Sequence, residues 1–208
     1  EFYNYYRPIE VDESLDYEYK TSQMKEWYQK HIGLFVKYKI TEEIFKNAAT
    51  DLRIMEFRPG AKEFIKFLHD NNIPLIIISA GIGNYIATFL TLNGCYYDNI
   101  YVSSNKIIFK DGIAVGVDTN IIHSLNKNEV SLPDNIKEKL SNRKNVLLLG
   151  DQISDLRMVD KSKHDHVYTN CFLCDENKSE LEAIRKQFDI VCEIGDNYFD
   201  LKKVLFSE

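Results

Sequence analysis

Two apolar stretches of this chain end in polar clusters that could do chemistry. Pro74-Leu-Ile-Ile-Ile-Ser79 runs into Ala80-Gly81-Ile82-Gly83, which offers a hydroxyl followed by backbone amides at the start of a helix. Amides and dipole at a helix start favour an anion. Taken alone, the segment fits a phosphate site and a plain tight turn equally well, because two glycines two residues apart are a weak signal. The second stretch, Asn145–Leu149, ends Gly150-Asp151-Gln152-Ile153-Ser154-Asp155. Asp151 falls just past the apolar run and Asp155 one helical turn on. Two converging carboxylates suit a hard cation such as magnesium, which takes few carboxylates and fills its shell with water and phosphate oxygens. An N-cap aspartate with a dipole-stabilising partner is the structural alternative. Lys127, in the polar run His123-Ser124-Leu125-Asn126-Lys127-Asn128, reads by itself as a surface lysine. Cys171-Phe-Leu-Cys174 has no second pair to complete a zinc site and reads as structural or incidental.

The elements that must position these residues follow from periodicity. Asp16–Lys39 carries apolar residues at helical spacing (Met24, Trp27, Tyr28, Ile32, Phe35), and a second helix is expected from Thr41, an N-cap candidate, to Ala49. After Arg58-Pro59-Gly60 helix and strand alternate: a helix over Ala61–Asn71, the strand at Pro74–Ser79, a helix over Gly83–Leu92 and a strand at Asn99–Ser103. A hairpin of Lys106–Phe109 and Ile113–Val117 turns at Asp111-Gly112, and a helix near Ile136–Leu140 precedes the strand at Asn145–Leu149. Weaker strands are expected at His166–Thr169 and Ile190–Glu193, flanking a helix over Lys178–Gln187 whose charged residues, from Asp175 to Lys186, form a solvated face. The alternation predicts a doubly wound α/β core with a parallel sheet, in which ligands lie beyond the carboxyl ends of the strands. The chain divides at about residue 57 into a helical cap, 1–57, and an α/β core, 58–208.

The 208 residues, 44% hydrophobic and 28% charged, suit a globular core with a small cap. A net charge of −6 argues against nucleic-acid and anionic-membrane partners, and an acidic protein must bind phosphate with a few placed donors or a metal. No apolar run is long enough to span a membrane, and four cysteines without a disulfide framework point to a cytoplasmic setting.

A strand-end serine, a loop lysine and a Gly-Asp-x-x-x-Asp strand end, in that order, resemble the second, third and fourth motifs of the haloacid-dehalogenase phosphatases. The match is fuller with the cytosolic pyrimidine 5'-nucleotidases: Ile78–Gly83, Ile122-His123 with Asn126-Lys127-Asn128, and Leu149-Gly150-Asp151 with Asp155-Leu156-Arg157-Met158 follow that pattern. Tyr5-Tyr6 with Ile9-Glu10-Val11-Asp12, and Met24-Lys25-Glu26-Trp27-Tyr28, resemble that family's helical cap. The resemblance implies that Ser79 and the Ala80 amide hold the substrate phosphate, Lys127 neutralises it, Asp151 binds Mg2+ and Asp155 orients Lys127 or a metal-bound water. It implies that Glu10 contacts the base and that Trp27 and Tyr28 lie where an aromatic wall would be, packing between cap helices being the other reading of those two rings. His31 stands where the family has a small polar residue near the substrate.

The family's first motif, Asp-x-Asp-x-Thr, supplies the nucleophile that becomes an aspartyl-phosphate, and no Asp-x-Asp occurs in these 208 residues. The chain begins at Glu1 rather than Met, and the motif and its core strand are expected upstream of it. The implied activity is magnesium-dependent hydrolysis of pyrimidine nucleoside 5'-monophosphates to nucleoside and phosphate. The alternatives are a phosphatase for another small phosphomonoester, phosphoserine or 7-methylguanosine monophosphate, and an inactive nucleotide-binding relative. Glu1–Glu208 alone is expected to hydrolyse no phosphate monoester; oligomeric state is not legible.

Overall fold

The computed structural model describes residues 1–51, 55–118, 120–175 and 177–193. The chain forms two compact units: Glu1–Met55 with Ile76–Tyr96 and Val102–Lys127, and Glu56–Leu75 with Tyr97–Tyr101 and Asn128–Glu208.

The first unit opens with three helices, α1 (Phe2–Val11), α2 (Tyr17–Lys37) and α3 (Glu42–Thr50). Asp16 caps α2 by accepting from the Tyr19 amide, which leaves fewer orphan donors at that end. Thr41 sits at the N-cap position of α3, as its sequence predicts, but its side chain makes no capping bond. Its backbone instead bridges Ile113, and the Glu42 amide donates to the Gly112 carbonyl, so tertiary pairing satisfies a group that a cap would otherwise cover. Tyr6 of α1 and Met24 of α2 bury together with Leu125, and Phe2 and Trp27 pack against them.

The hairpin of β3 (Ile107–Lys110) and β4 (Ile113–Val117) is antiparallel, with an irregularity between Ile108 and Phe109. Its turn places Asp111 and Gly112 at positive φ, the geometry of an Asp-Gly hairpin. Ile107 and Ala114 of this hairpin bury against Ile32 and Phe45, so the hairpin closes a core that α2 and α3 begin.

Before the hairpin, β1 (Leu75–Ile82) pairs with β2 (Ile100–Asn105) through the intervening helix α5 (Gly83–Leu92). Here the sequence reading was too short. β1 does not stop at Ser79 but continues through Gly81 to Ile82 and passes straight into α5. Asn105 is the physical reason, since its Nδ2 donates to the Ala80 carbonyl and keeps that segment extended.

In the second unit α4 (Ala61–Asp70) precedes a parallel three-stranded sheet ordered β5 (Asn145–Gly150), β6 (His166–Phe172), β7 (Ile190–Cys192). β6 runs past the expected end at Thr169: Asn170, Cys171 and Phe172 are buried too, and the polar Asn170 hid that continuation in the sequence. Helices α6 (Asp134–Leu140) and α7 (Leu181–Gln187) flank it, and Ile184 of α7 buries with Leu148, Cys171, Leu173 and Phe188. The α/β fold with parallel strands is as predicted. The last residues of the predicted core, 194–208, lie outside the described residues. No described helix is long and apolar enough to cross a membrane.

Gly83 makes the passage from β1 to α5 possible. A Cβ there would lie 2.2 Å from Ser104 Oγ, a buried hydroxyl with no hydrogen-bond partner among the described residues, and 3.5 Å from Ser104 Cβ. Gly83→Ala should therefore destabilise the protein by about 1–3 kcal/mol through overpacking. In a Ser104→Ala background the clash disappears and the same substitution should be neutral or mildly stabilising, since alanine favours a helix. Urea midpoints of the four proteins check this; equal effects of Gly83→Ala in both backgrounds would refute the clash.

Candidate active site

The residues singled out from sequence divide between the units: Glu10, Trp27, Ser79, Ala80 and Lys127 lie in the first, Asp151 and Asp155 in the second.

In the second unit the chain leaves β5 at Gly150 and enters a short 3-10 helix, Ile153–Met158. Asp155 is buried inside that turn, and its Oδ2 accepts from the amides of Asp151 (3.1 Å) and Gln152 (3.2 Å). A Cβ on residue 150 would meet Asp155 Cβ and Oδ2 at 2.7 Å, so the carboxylate fits only because residue 150 is glycine. Asn177 closes the loop from the other side. Its Nδ2 donates to the carbonyls of Asp151 and Phe172, and its Oδ1 accepts from the Cys174 amide. Backbone and neighbours are thus fixed, while Asp151 itself is exposed at the carboxyl end of a parallel strand. That is where a sheet of this kind presents ligand groups.

Asn177 was not singled out from sequence. It falls within the segment read as a solvated charged face, and that reading suits the exposed Lys178–Asp175 pair but not the buried asparagine between them. Cys171 is a free thiol. Burial, and then the charges of Asp151 and Asp155, push the Cys171 thiol up to about 11, which keeps it protonated and unreactive.

In the first unit Ser79 lies inside β1, its Oγ accepting from the Gly81 amide at 3.1 Å. Asn105, almost wholly buried, joins this strand to the loop that carries Lys127. Its Nδ2 donates to the carbonyls of Ala80 and Ile122 (2.8 Å each), and its Oδ1 accepts from the Ile122 amide at 2.8 Å. Asn126 folds the same loop by accepting from the His123 amide (2.7 Å) and donating to the Ile121 carbonyl (2.9 Å). Two asparagines thus set the path of the backbone into Lys127. Asn105 also escaped the sequence reading, because an asparagine between two strands looks like a turn residue.

Glu10 of α1 is 12% exposed and pairs with Arg7 one turn earlier. Tyr28 and His123 gather around it. Burial, and then the charge of Glu10, raise the Tyr28 hydroxyl above its ordinary value. His123 is 1% exposed, its ring centroid 6.4 Å from that of Tyr28, and its Nδ1 accepts from the Leu125 amide at 3.3 Å. The neutral ring therefore carries its proton on Nε2. Trp27 stacks on Tyr6 at 5.6 Å with planes 8° apart and meets Tyr28 edge-on at 5.7 Å. One face of Trp27 is covered by Tyr6, and Tyr28 is the ring beside Glu10. His31 is exposed and stacks on Phe35.

The fold, with Ser79 in β1 and the Gly150–Asp155 turn after β5, is that of the haloacid-dehalogenase phosphatases. A substrate-bound phosphoserine phosphatase shares the architecture at a TM-score of 0.58 and 18% identity, with 87% of this chain and 77% of that one covered. Within that class the chain belongs to the pyrimidine 5'-nucleotidase (UMPH-1) family, whose model matches residues 1–208. It is 32% identical over 197 residues to the 7-methylguanosine phosphate-specific 5'-nucleotidase of Mus musculus, covering 93% of this chain and 65% of that protein. It also superposes on cytosolic 5'-nucleotidase IIIB bound to cytidine at a TM-score of 0.84 and 27% identity, covering 98% of this chain and 69% of that one. The chain thus spans somewhat less than two thirds of the length of the mouse relative.

The buried His123 has a measurable signature. Burial holds its ring well below the ordinary 6.5, at about 4, although the charge of Glu10 acts the other way. A histidine depressed in the folded state is protonated first in the unfolded chain. Its contribution is fully present above pH 6.5 and is lost as pH falls toward 4, by roughly 3 kcal/mol at most. His123→Gln should flatten this part of the stability–pH curve relative to wild type; parallel curves between pH 6.5 and 4 would show that the ring is not buried neutral.

Proposed function

We propose that the whole protein is a cytosolic 5'-nucleotidase that hydrolyses nucleoside 5'-monophosphates, and that residues 1–57 act as its base-recognising cap and 58–208 as its phosphate- and metal-binding core. The observation that carries this reading is Asp151, held outward at the end of β5 by Asp155 and Asn177, in a chain matched along its whole length by the nucleotidase family.

Magnesium fits the donor set. Asp151 is an exposed hard-oxygen ligand, whereas Asp155 Oδ2 is engaged by two amides. Among the described residues no three His, Cys, Asp or Glu side chains cluster as a metal cage. Magnesium needs no such cage, because it keeps waters and shares phosphate oxygens. When bound, the cation would neutralise charge on the phosphate. Ser79 and the Ala80 amide hold the phosphate oxygens, Lys127 balances their charge as the transferring group develops it, and Asp155 keeps the strand end in place. The attacking carboxylate and the acid that protonates the leaving nucleoside belong to an Asp-x-Asp motif that these residues do not contain.

For the base, Glu10 is the reading group. An ionised carboxylate only accepts hydrogen bonds, so it favours a base edge that presents N–H donors. Cytosine offers its exocyclic amine; uracil offers a ring N–H between two carbonyls. A 7-methylguanine also offers N–H donors, and its positive charge suits both Glu10 and the Tyr28 face, with Trp27 backing that ring. The name of the mouse relative favours that second substrate.

In the full-length protein CMP should be turned over with a higher kcat/KM than UMP, by about ten- to a hundredfold, the cost of setting a uracil carbonyl rather than an N–H donor against the Glu10 carboxylate. Glu10→Gln should narrow that gap, since an amide donates as well as accepts. Measurement of kcat/KM for CMP, UMP and 7-methylguanosine monophosphate in both proteins checks this. No turnover of any of the three would overturn the nucleotidase reading, and an unchanged CMP/UMP ratio in the variant would remove Glu10 from base recognition.

A further inference from the structure

A cleft lined by residues between Glu129 and His164 opens at the opposite end of the sheet from Asp151. Lys144 immediately precedes β5 and His164 lies two residues before β6, so the cleft is at the amino ends of these strands. β5 is six residues long, which puts roughly 20 Å between the two ends at the usual rise per residue. The cleft is open to solvent on one side and has a volume of about 340 Å³, enough for a small molecule.

Its walls are cationic. Lys137, Arg143, Lys144 and Lys163 line it, and Glu129 is its single carboxylate. Glu129 is engaged: Oε1 accepts from the Asp160 amide at 2.9 Å, and Oε2 accepts from His164 Nε2 at 2.9 Å. The carboxylate therefore serves to fix the wall, and His164 Nδ1 is buried with no hydrogen-bond partner among the described residues. Asp134 lies 3.4 Å from Lys137 and Asp160 lies 3.3 Å from Lys163, so these carboxylates offset part of the wall's charge, and Arg143 and Lys144, which make no ion pair among the described residues, are its least compensated cations. The Lys144 carbonyl accepts from the Asp165 amide and closes the floor. Arg143 is held by a bond from Nη2 to the Asn72 carbonyl at 2.8 Å. Leu132 and Leu140 supply an apolar surface beside the cations.

On a protein of net charge −6, a concave site with four cations is where an anion is drawn. We propose that this cleft is a second ligand site, distinct from the strand end that carries Asp151, and that it takes a phosphate-bearing small molecule, with the phosphate between Lys144, Arg143 and Lys163 and any organic part on Leu132 and Leu140. Inorganic phosphate and a nucleoside phosphate share the chemistry that would be recognised. The site does not depend on the nucleotidase reading, since none of its residues belongs to the proposed catalytic set.

The test is titration of the full-length protein, without magnesium, with inorganic phosphate and, separately, with CMP at constant ionic strength, read by backbone amide shifts. Saturable shifts are expected at 140–144 and 163–166. They should persist in Ser79→Ala, and should weaken by about tenfold or more in Lys144→Glu and in Lys163→Glu. Tighter binding of CMP would show that the organic part is held; equal binding would show recognition of phosphate alone. The proposal is overturned if neither ligand gives saturable shifts at millimolar concentration, if the shifts are confined to 79–83 and 150–155, or if both charge reversals leave them unchanged while the rest of the spectrum superposes on wild type.

Discussion

The end of β5 depends on one buried carboxylate packed against one glycine. Asp155 reaches back under the chain to receive the amides of Asp151 and Gln152, and only the missing side chain at Gly150 lets it approach that closely. Hydrogen bonds to a charged acceptor in a buried position contribute about 1.5–3 kcal/mol each. An apolar residue at 155 could fill the space but would leave two amides without partners. The arrangement fixes the backbone of Asp151 from below and Asn177 fixes its carbonyl from above, so the exposed carboxylate is presented rather than merely tolerated at the surface. Burial, and then the charges of the same two aspartates, raise the thiol of Cys171 on the adjacent strand, so a buried cysteine beside the site is chemically quiet.

Buried polar side chains play the corresponding part in the first unit. Asn105 binds the Ala80 carbonyl and both polar groups of Ile122, and Asn126 folds the next turn, so the routes to Ser79 and Lys127 share one anchor. His123 is placed by its own backbone and by the Leu125 amide against Tyr28, close to Glu10. Apolar packing from Tyr6, Met24 and Leu125 holds the helices, but these directional bonds decide which groups face one another.

Much of this was legible in the sequence because it is local or periodic. The spacing of Met24, Ile32 and Phe35 gives α2, the apolar runs give β1 and β5, and Asp111-Gly112 gives the hairpin turn. Asp151 and Asp155 stood out because a strand-end position makes a carboxylate conspicuous. Asn105, Asn177 and the buried state of His123 were not legible, since each also meets a group far away in sequence (Ala80, Asp151 and Tyr28 respectively) and an asparagine has no periodicity to betray it. β6 was underestimated because Asn170 interrupts its apolar pattern just past Thr169, and the two polar residues are accommodated in the core because the Asp189 carboxylate receives the amide and hydroxyl of Thr169 and Asn170 Oδ1 accepts from Cys192 Sγ. Thr41 carried the residue type of a cap without making the bond, since the hairpin reached that helix end first.

The account rests on Asp155 acting as the lock of the strand end, and amide hydrogen exchange tests that most directly. In the wild-type protein the amides of Asp151 and Gln152 should be protected despite lying at a surface turn, because both donate to Asp155. In Asp155→Ala these two amides should lose most of that protection while the amides of β6, paired within the sheet, keep theirs. Unchanged protection at residues 151 and 152 in the variant would contradict the account.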